Sequence, residues 1–238
     1  SMISLIHATA RIAPTPALPE GWREAYRRWH ETCEEPDRVE YVLVFHRSRW
    51  EAGLRSLPRP PLWPHERIIY NPRRDCCVDQ GEAGFQAAIG DLFVVLHDDM
   101  FPSPGWDRLL REALPDFQQE AVIRCSTGHP NDQVLFNPQI FTRARWQAVG
   151  PDSLQEYESM FSDREFTDRA RLDGVVVEAT HLRFEHRHPD FGNPTDAVYA
   201  LENRPEAYAV GREVYDRHRA AGFKPGAYHA RIQPTDPA

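Results

Sequence analysis

Residues 90–106 read Gly90-Asp91-Leu92-Phe93-Val94-Val95-Leu96-His97-Asp98-Asp99-Met100-Phe101-Pro102-Ser103-Pro104-Gly105-Trp106. The unbroken apolar run from Leu92 to Leu96 fits a strand buried on both faces, the kind found inside a parallel sheet. It runs straight into Asp98-Asp99, two acids with no lysine beside them. Carboxylates held away from water are costly unless they meet a cation. Hard oxygen ligands suit Mg2+ or Mn2+, and such an ion would neutralise a diphosphate leaving group. The alternative is a turn or helix cap that ends the strand ahead of Pro102 and Pro104.

Upstream, Ile3-Ser4-Leu5-Ile6-His7-Ala8 reads as a second buried strand, and Pro14, Pro16 and Pro19 then impose a loop. From Glu20 to Cys33, the residues Trp22, Ala25, Tyr26, Trp29 and Cys33 recur at helical spacing. Strands are expected at Tyr41–Phe45 and Arg67–Tyr70, with a proline-rich crossing at Leu57–Pro64 and a turn at Asn71-Pro72. A helix over Cys76–Ala88 carries Gly81, Ala83 and Gly84, small enough to let another element approach closely. Downstream come a helix over Gly105–Leu114 and a strand at Ala121–Arg124. Strand and helix alternate through this first half, which argues for an α/β fold whose mostly parallel sheet is flanked by helices.

The second half changes character. A strand is expected at Leu135–Phe141, helices at Arg143–Val149 and Asp163–Leu172, and a strand at Gly174–Ala179. That strand gives way to the charged run His181-Leu182-Arg183-Phe184-Glu185-His186-Arg187-His188. A helix over Pro205–Ala220 follows, and the tail beyond Gly222, with Pro225, Pro234 and Pro237, is expected to be loose. The division implied is residues 2–125 for one half, 126–222 for the other and 223–238 for the tail.

The 238 residues carry a net charge of −8, which gives no general attraction for nucleic acid. No apolar run of about 18 residues and no leader pattern is present, so neither membrane insertion nor secretion is expected. Ser1 ahead of Met2 reads as a residue left by tag removal. The four cysteines, Cys33, Cys76, Cys77 and Cys125, form no C-x2-C pair and read as free thiols of a reducing, cytoplasmic compartment. Dinucleotide-binding GxGxxG, the phosphate-binding GxxxxGK[ST] loop and the GxSxG elbow are all missing.

Ligands of an open α/β sheet sit beyond the carboxyl ends of its strands. Thr9 and Arg11, His46 to Arg49, and His97-Asp98-Asp99 all fall there. His181, His186 and His188 with Glu185 are either borderline-metal ligands or a solvated edge. Asp163 and Glu165, opening a helix, are either favoured there by the helix dipole or supply a general base.

In their order and spacing these pieces resemble the family 2 glycosyltransferases of the GT-A fold. That family runs through a helix with small residues, an A-x-G-D element (here Gly90-Asp91), a hydrophobic strand, a D-D or D-x-D element (Asp98-Asp99) and a Pro-x-W segment (Pro104-Gly105-Trp106). Phe161-Ser162-Asp163-x-Glu165-Phe166 with Arg169 to Gly174 looks like its E-D-x-D-L…R…G stretch, and Phe184-Glu185-His186 like its late metal-binding histidine. The resemblance spans about residues 3–190.

It implies a metal-dependent transfer of sugar from a nucleotide-diphospho-sugar, a UDP-sugar being the expected donor, to a hydroxyl acceptor, with inversion. Thr9 and Arg11 would border the base, Asn71 and Arg74 would lie near the base or ribose, and Asp98 would serve the diphosphate. Asp99 and His186 would meet the Mn2+ or Mg2+, and Asp163 would be the base. A saccharide is the expected acceptor, and a modified base in DNA is a second candidate. Two departures stand out: His46 replaces the acid that usually ends the second strand, and Glu82 stands where asparagine is common. The rivals are a GT-A-like nucleotidyltransferase and a nucleotide-binding module without activity.

Overall fold

The computed structural model describes residues 1–223, so the expected loose tail lies, from residue 224 on, outside the described residues. Eight strands follow in chain order: β1 (Ile3–Ala8), β2 (Val39–His46), β3 (His65–Asn71), β4 (Leu92–Leu96), β5 (Met100–Pro102), β6 (Val122–Ser126), β7 (Ile140–Thr142) and β8 (Val176–His186). They line up in the order β3-β2-β1-β4-β7-β6-β8-β5. β1 pairs in parallel with β2 and with β4, and β2 with β3, while β7 joins β4 antiparallel. The chain steps outward from β1 through β3 and then returns to lay β4 on the other side of β1. The crevice between the carboxyl ends of β1 and β4 is therefore the switch point where open sheets bind ligands.

Helices cover both faces: α1 (Arg23–Glu31), α2 (Trp50–Ser56), α3 (Cys77–Ala87), α4 (Trp106–Ala113), α5 (Arg143–Val149), α6 (Ser162–Leu172), α7 (Ala197–Glu202) and α8 (Pro205–Ala220). Alternate residues of the central strands serve opposite cores. Leu5, Tyr41, Leu43 and Phe45 meet Trp22, Tyr26 and Trp29 at α1, whereas Ile6, Val42, Val44 and Phe93 face α3. Two-sided burial is why these strands read as continuous apolar runs.

α3 lies close to the sheet because Gly84 permits it. A Cβ there would sit 2.4 Å from Ile6 Cγ2 and 3.2 Å from Val44 Cγ2. Gly84→Val is expected to overpack this face and cost about 1–3 kcal/mol, read as a lower urea midpoint at unchanged slope. An unchanged midpoint would show that α3 can move away freely.

Two expectations are corrected. The strand expected over Leu135–Phe141 is only β7, because Leu135 N is drawn back to Asn131 O at 2.9 Å by the turn at 130–133 and Pro138 has no N–H to give a ladder. Most of the charged run at 181–188 is itself strand: β8 continues to His186, with Leu182 and Phe184 buried between exposed His181, Arg183 and Glu185. The sequence had hidden this alternation behind long charged side chains. β5, α2 and α7 are additional short elements.

Candidate active site

The switch point brings together the residues that follow β1 and β4. Asp98 is the hub. Its Oδ1 lies 2.6 Å from His7 Nε2, and its Oδ2 accepts from Thr9 Oγ1 at 2.9 Å and Arg11 Nη1 at 3.2 Å. A carboxylate only accepts, so His7 carries its proton on Nε2 and accepts a hydrogen bond from the Tyr41 hydroxyl at Nδ1. Burial keeps Tyr41 protonated, far above the usual phenol range. Burial also works to raise Asp98, but the His7 hydrogen bond and the Arg11 charge outweigh it and hold the carboxyl low. Both oxygens are thus committed to protein donors.

Arg11 reaches onward to Asp196, Nε to Oδ2 at 2.7 Å and Nη2 to Oδ1 at 3.3 Å. Burial disfavours its charge, yet Asp196 and Asp98 more than compensate and raise its pKa. Asp196 also caps α7, accepting from Tyr199 N at 2.8 Å. The segment entering α7 is therefore pinned beside Arg11. Glu202, at the end of α7, is pushed up by burial, with Arg11 pulling the other way.

Asp99 is differently placed. β5 pairs antiparallel with β8, setting Met100 opposite His186, and Arg187 N donates to Asp99 O at 2.8 Å. This register brings Asp99 Oδ2 to 3.4 Å from His186 Nε2, with 23% of the Asp99 side chain still exposed. Two ligands bound to one small divalent cation at about 2.1 Å each subtend roughly this span. One carboxylate and one imidazole fit Mn2+ better than Mg2+, which prefers oxygen alone, and leave the remaining positions to water and phosphate oxygens. Burial tends to raise the Asp99 carboxyl, but His186 holds it below the ordinary range, so it is anionic and ready to ligate.

At the outer edge, His46 accepts from Ser48 N at Nδ1 and donates from Nε2 to Arg73 O at 2.9 Å. Asn71 is fully buried, with Oδ1 accepting from Arg73 N at 2.9 Å. The Arg74 guanidinium grips Asp79 and the carbonyls of Gln155 and Tyr157. All three side chains shape the loop after β3.

Asp163 and Glu165 separate. Glu165 points into the interior, 3.0 Å from His218 Nδ1 of α8. Asp163 lines a cavity of about 250 Å³ between α3, β7, α5 and α6, which His97 also lines. Burial raises the Asp163 carboxyl and pushes His97 down to about 4, so a partly buried acid of increased basicity shares the cavity with a neutral imidazole.

His129, His188 and Asp190 form a further cluster whose ligand atoms lie within 4.8 Å of one another. Each imidazole accepts a backbone N–H at Nδ1, from Asn131 and Asp190 respectively. That assigns the proton to Nε2, and His129 Nε2 donates to Asp190 at 2.8 Å. The cluster caps two short turns, and with Nδ1 accepting and Nε2 protonated neither imidazole has a lone pair free for a metal.

Sequence reading missed His7 and Asp196. His7 lay inside an apolar strand, where its position at the carboxyl end was the available signal. Asp196 stands just before the apolar stretch Ala197–Leu201, a helix-start pattern, but nothing local ties it to Arg11.

No family model matches the sequence, and no curated protein sequence matches it significantly. Solved structures do match in fold. TarS from S. aureus superimposes with a TM-score of 0.54 at 14% identity, covering 94% of this chain and 45% of that one, so the chain spans under half of that protein. Mannosyltransferase PcManGT from Pyrobaculum calidifontis, solved with GDP-Man and Mn2+, gives 0.58 at 14% identity over 96% of this chain and 78% of that one. The 4-diphosphocytidyl-2C-methyl-D-erythritol synthase from Anaerococcus prevotii gives 0.54 at 13% identity over 90% and 96%. The chain has the GT-A fold, which it shares with nucleotide-sugar glycosyltransferases.

Proposed function

We propose that the protein is a glycosyltransferase that moves a sugar from a nucleotide-diphospho-sugar to a hydroxyl acceptor with a divalent cation at Asp99 and His186. The observation that carries this reading is the Asp99–His186 pair, spaced for one cation at the switch point of a GT-A sheet. When bound, the cation supplies charge neutralisation for the departing diphosphate. Asp98 fixes Thr9 and Arg11 beside it, and Arg11 would exchange Asp196 for a phosphate oxygen. Asn71 and Arg74 hold the loop that borders the nucleoside. Asp163 takes the proton of the acceptor hydroxyl as its oxygen attacks the anomeric carbon from the face opposite the leaving group. A UDP-sugar donor and a saccharide acceptor fit this scheme.

A nucleotidyltransferase shares the fold and is the enzyme rival. Those enzymes normally carry a glycine-rich basic loop after the first strand. Residues 10–19 here contain Pro14, Pro16 and Pro19 and one basic residue, Arg11. No helix among the described residues is long and apolar enough to cross a membrane.

The test is thermal denaturation with UDP, GDP, CMP and dTDP, each with and without Mn2+. A ligand bound only by the native state adds about 2.7 kcal/mol at a hundredfold excess over Kd. One nucleoside diphosphate is expected to raise Tm in a metal-dependent way. No shift with any of them would reject the reading.

A further inference from the structure

The cavity that Asp163 and His97 share is longer and more apolar than proton transfer requires. His97 follows β4 at its carboxyl end, whereas Phe141 pairs with Phe93, four residues earlier in the same strand. At about 3.3 Å per residue, the two ends of this wall stand roughly 13 Å apart. Its apolar side is walled by Phe85, Phe136, Phe141, Trp146, Met160 and Phe166. Of the charged groups that also line it, Asp79 pairs with Arg74 and Asp152 with Arg73. Glu82 accepts from Gln86 and Trp146, and Arg145 pairs with Glu120 and Asp173. The donor's sugar would bring a hydroxyl on nearly every carbon to this aromatic side, whose one polar group, the Trp146 N–H, is already given to Glu82, so it suits that side poorly. A dry apolar cavity of about 150 Å³ already admits benzene; this one, at about 250 Å³, has room for a substituted ring.

We propose that this cavity is the acceptor subsite and that it takes a saccharide acceptor carrying one aromatic ring, with the ring seated among the phenylalanines and a sugar hydroxyl presented to Asp163. The inference rests on the glycosyl-transfer reading. The acceptor oxygen forms a bond to the anomeric carbon and its proton passes to Asp163. The bond from that carbon to the diphosphate oxygen breaks, its electron pair leaving with the nucleoside diphosphate. The ring supplies binding energy remote from the reacting centre and orients the hydroxyl.

Gly81 offers a plug. It lies on α3 in the cavity wall, and a Cβ there would meet only the Phe85 ring, at 3.6 Å. Gly81→Leu therefore extends into the empty space, and leucine is the better helix former. Calorimetric titration would compare phenyl β-glucoside with methyl β-glucoside on both proteins. The phenyl compound is expected to bind the original chain at least about tenfold more tightly than the methyl one, and Gly81→Leu to remove that advantage. Should Gly81→Leu fold poorly, Phe166→Ala is the second variant: the enlarged cavity should shift preference from phenyl to naphthyl β-glucoside. Equal binding of the phenyl and methyl compounds, or an advantage untouched by both variants, overturns the proposal.

Mn2+-dependent nucleotide binding is measured in parallel on the same samples. If it persists while the phenyl preference is absent, the acceptor inference fails and the transfer reading stands. If it is absent while a plug-sensitive phenyl preference is present, the transfer reading fails, and with it the acceptor role of the cavity.

Discussion

Asp99→Asn is expected to abolish the metal-dependent part of nucleotide binding while leaving the fold intact, and Asp98→Asn to damage the fold itself. The two neighbours differ in what already surrounds them. Asp98 spends both oxygens on His7, Thr9 and Arg11 and is buried. Removing its charge leaves Arg11 with less to balance it, and breaking a buried pair of this kind costs about 3–5 kcal/mol. Asp99 has His186 at 3.4 Å and keeps part of its surface open. Its amide analogue gives up a charged ligand and no network. Loss of an outer-shell partner already weakens metal sites about 10–100-fold, and loss of a direct ligand should exceed that. The check is Mn2+-dependent nucleotide titration beside urea denaturation for both variants. If Asp99→Asn binds nucleotide with undiminished metal dependence, Asp99 is not a ligand and the proposed centre is wrong.

Much of this arrangement could be read from local pattern. The apolar run ending in Asp98-Asp99 and the prolines after β1 are signals carried by neighbouring residues, so the first half of the sheet was legible. The division of labour between the two acids was not. It depends on His7, 91 residues from Asp98, and on a β5–β8 pairing that brings His186 beside Asp99. Asp163 and Glu165 show the same limit. Both sit in the first turn of α6, where capping and dipole arguments treat them alike. Their side chains leave the helix about 200° apart, so one meets the cavity and the other meets α8. Only the packing of α8 against this turn decides which is which. A Cβ on Gly211 of α8 would fall 2.2 Å from Met160 O, so the helix presses directly on the backbone that leads into Asp163.

That docking can be tested through His218. The His218 and Glu165 side chains are both fully buried, and Glu156 approaches the other imidazole nitrogen. Burial alone would lower the His218 pKa, but the hydrogen bonds to Glu165 and Glu156 prevail and raise it above 6.5. A raised folded-state value means that this contribution is fully present below about pH 6.5 and fades as pH rises through the folded pKa. Glu156 behaves in the opposite sense. Burial tends to raise it, but His218 and Arg217 lower it below 4.5, so its contribution is present above that value and lost as acid protonates it. The anchoring of α8 should therefore be strongest between about pH 4.5 and 6.5. His218→Leu is expected to cost about 3–5 kcal/mol in that window, because it leaves Glu165 buried without its cationic partner. The penalty should shrink toward alkaline pH, where the original imidazole also loses its charge. Glu165→Leu combined with His218→Leu should recover most of the loss, since an apolar pair of similar volume removes the stranded charge. Urea denaturation at several pH values reads all three effects. A penalty that stays constant with pH would mean that His218 is held neutral and that α8 is docked by packing alone.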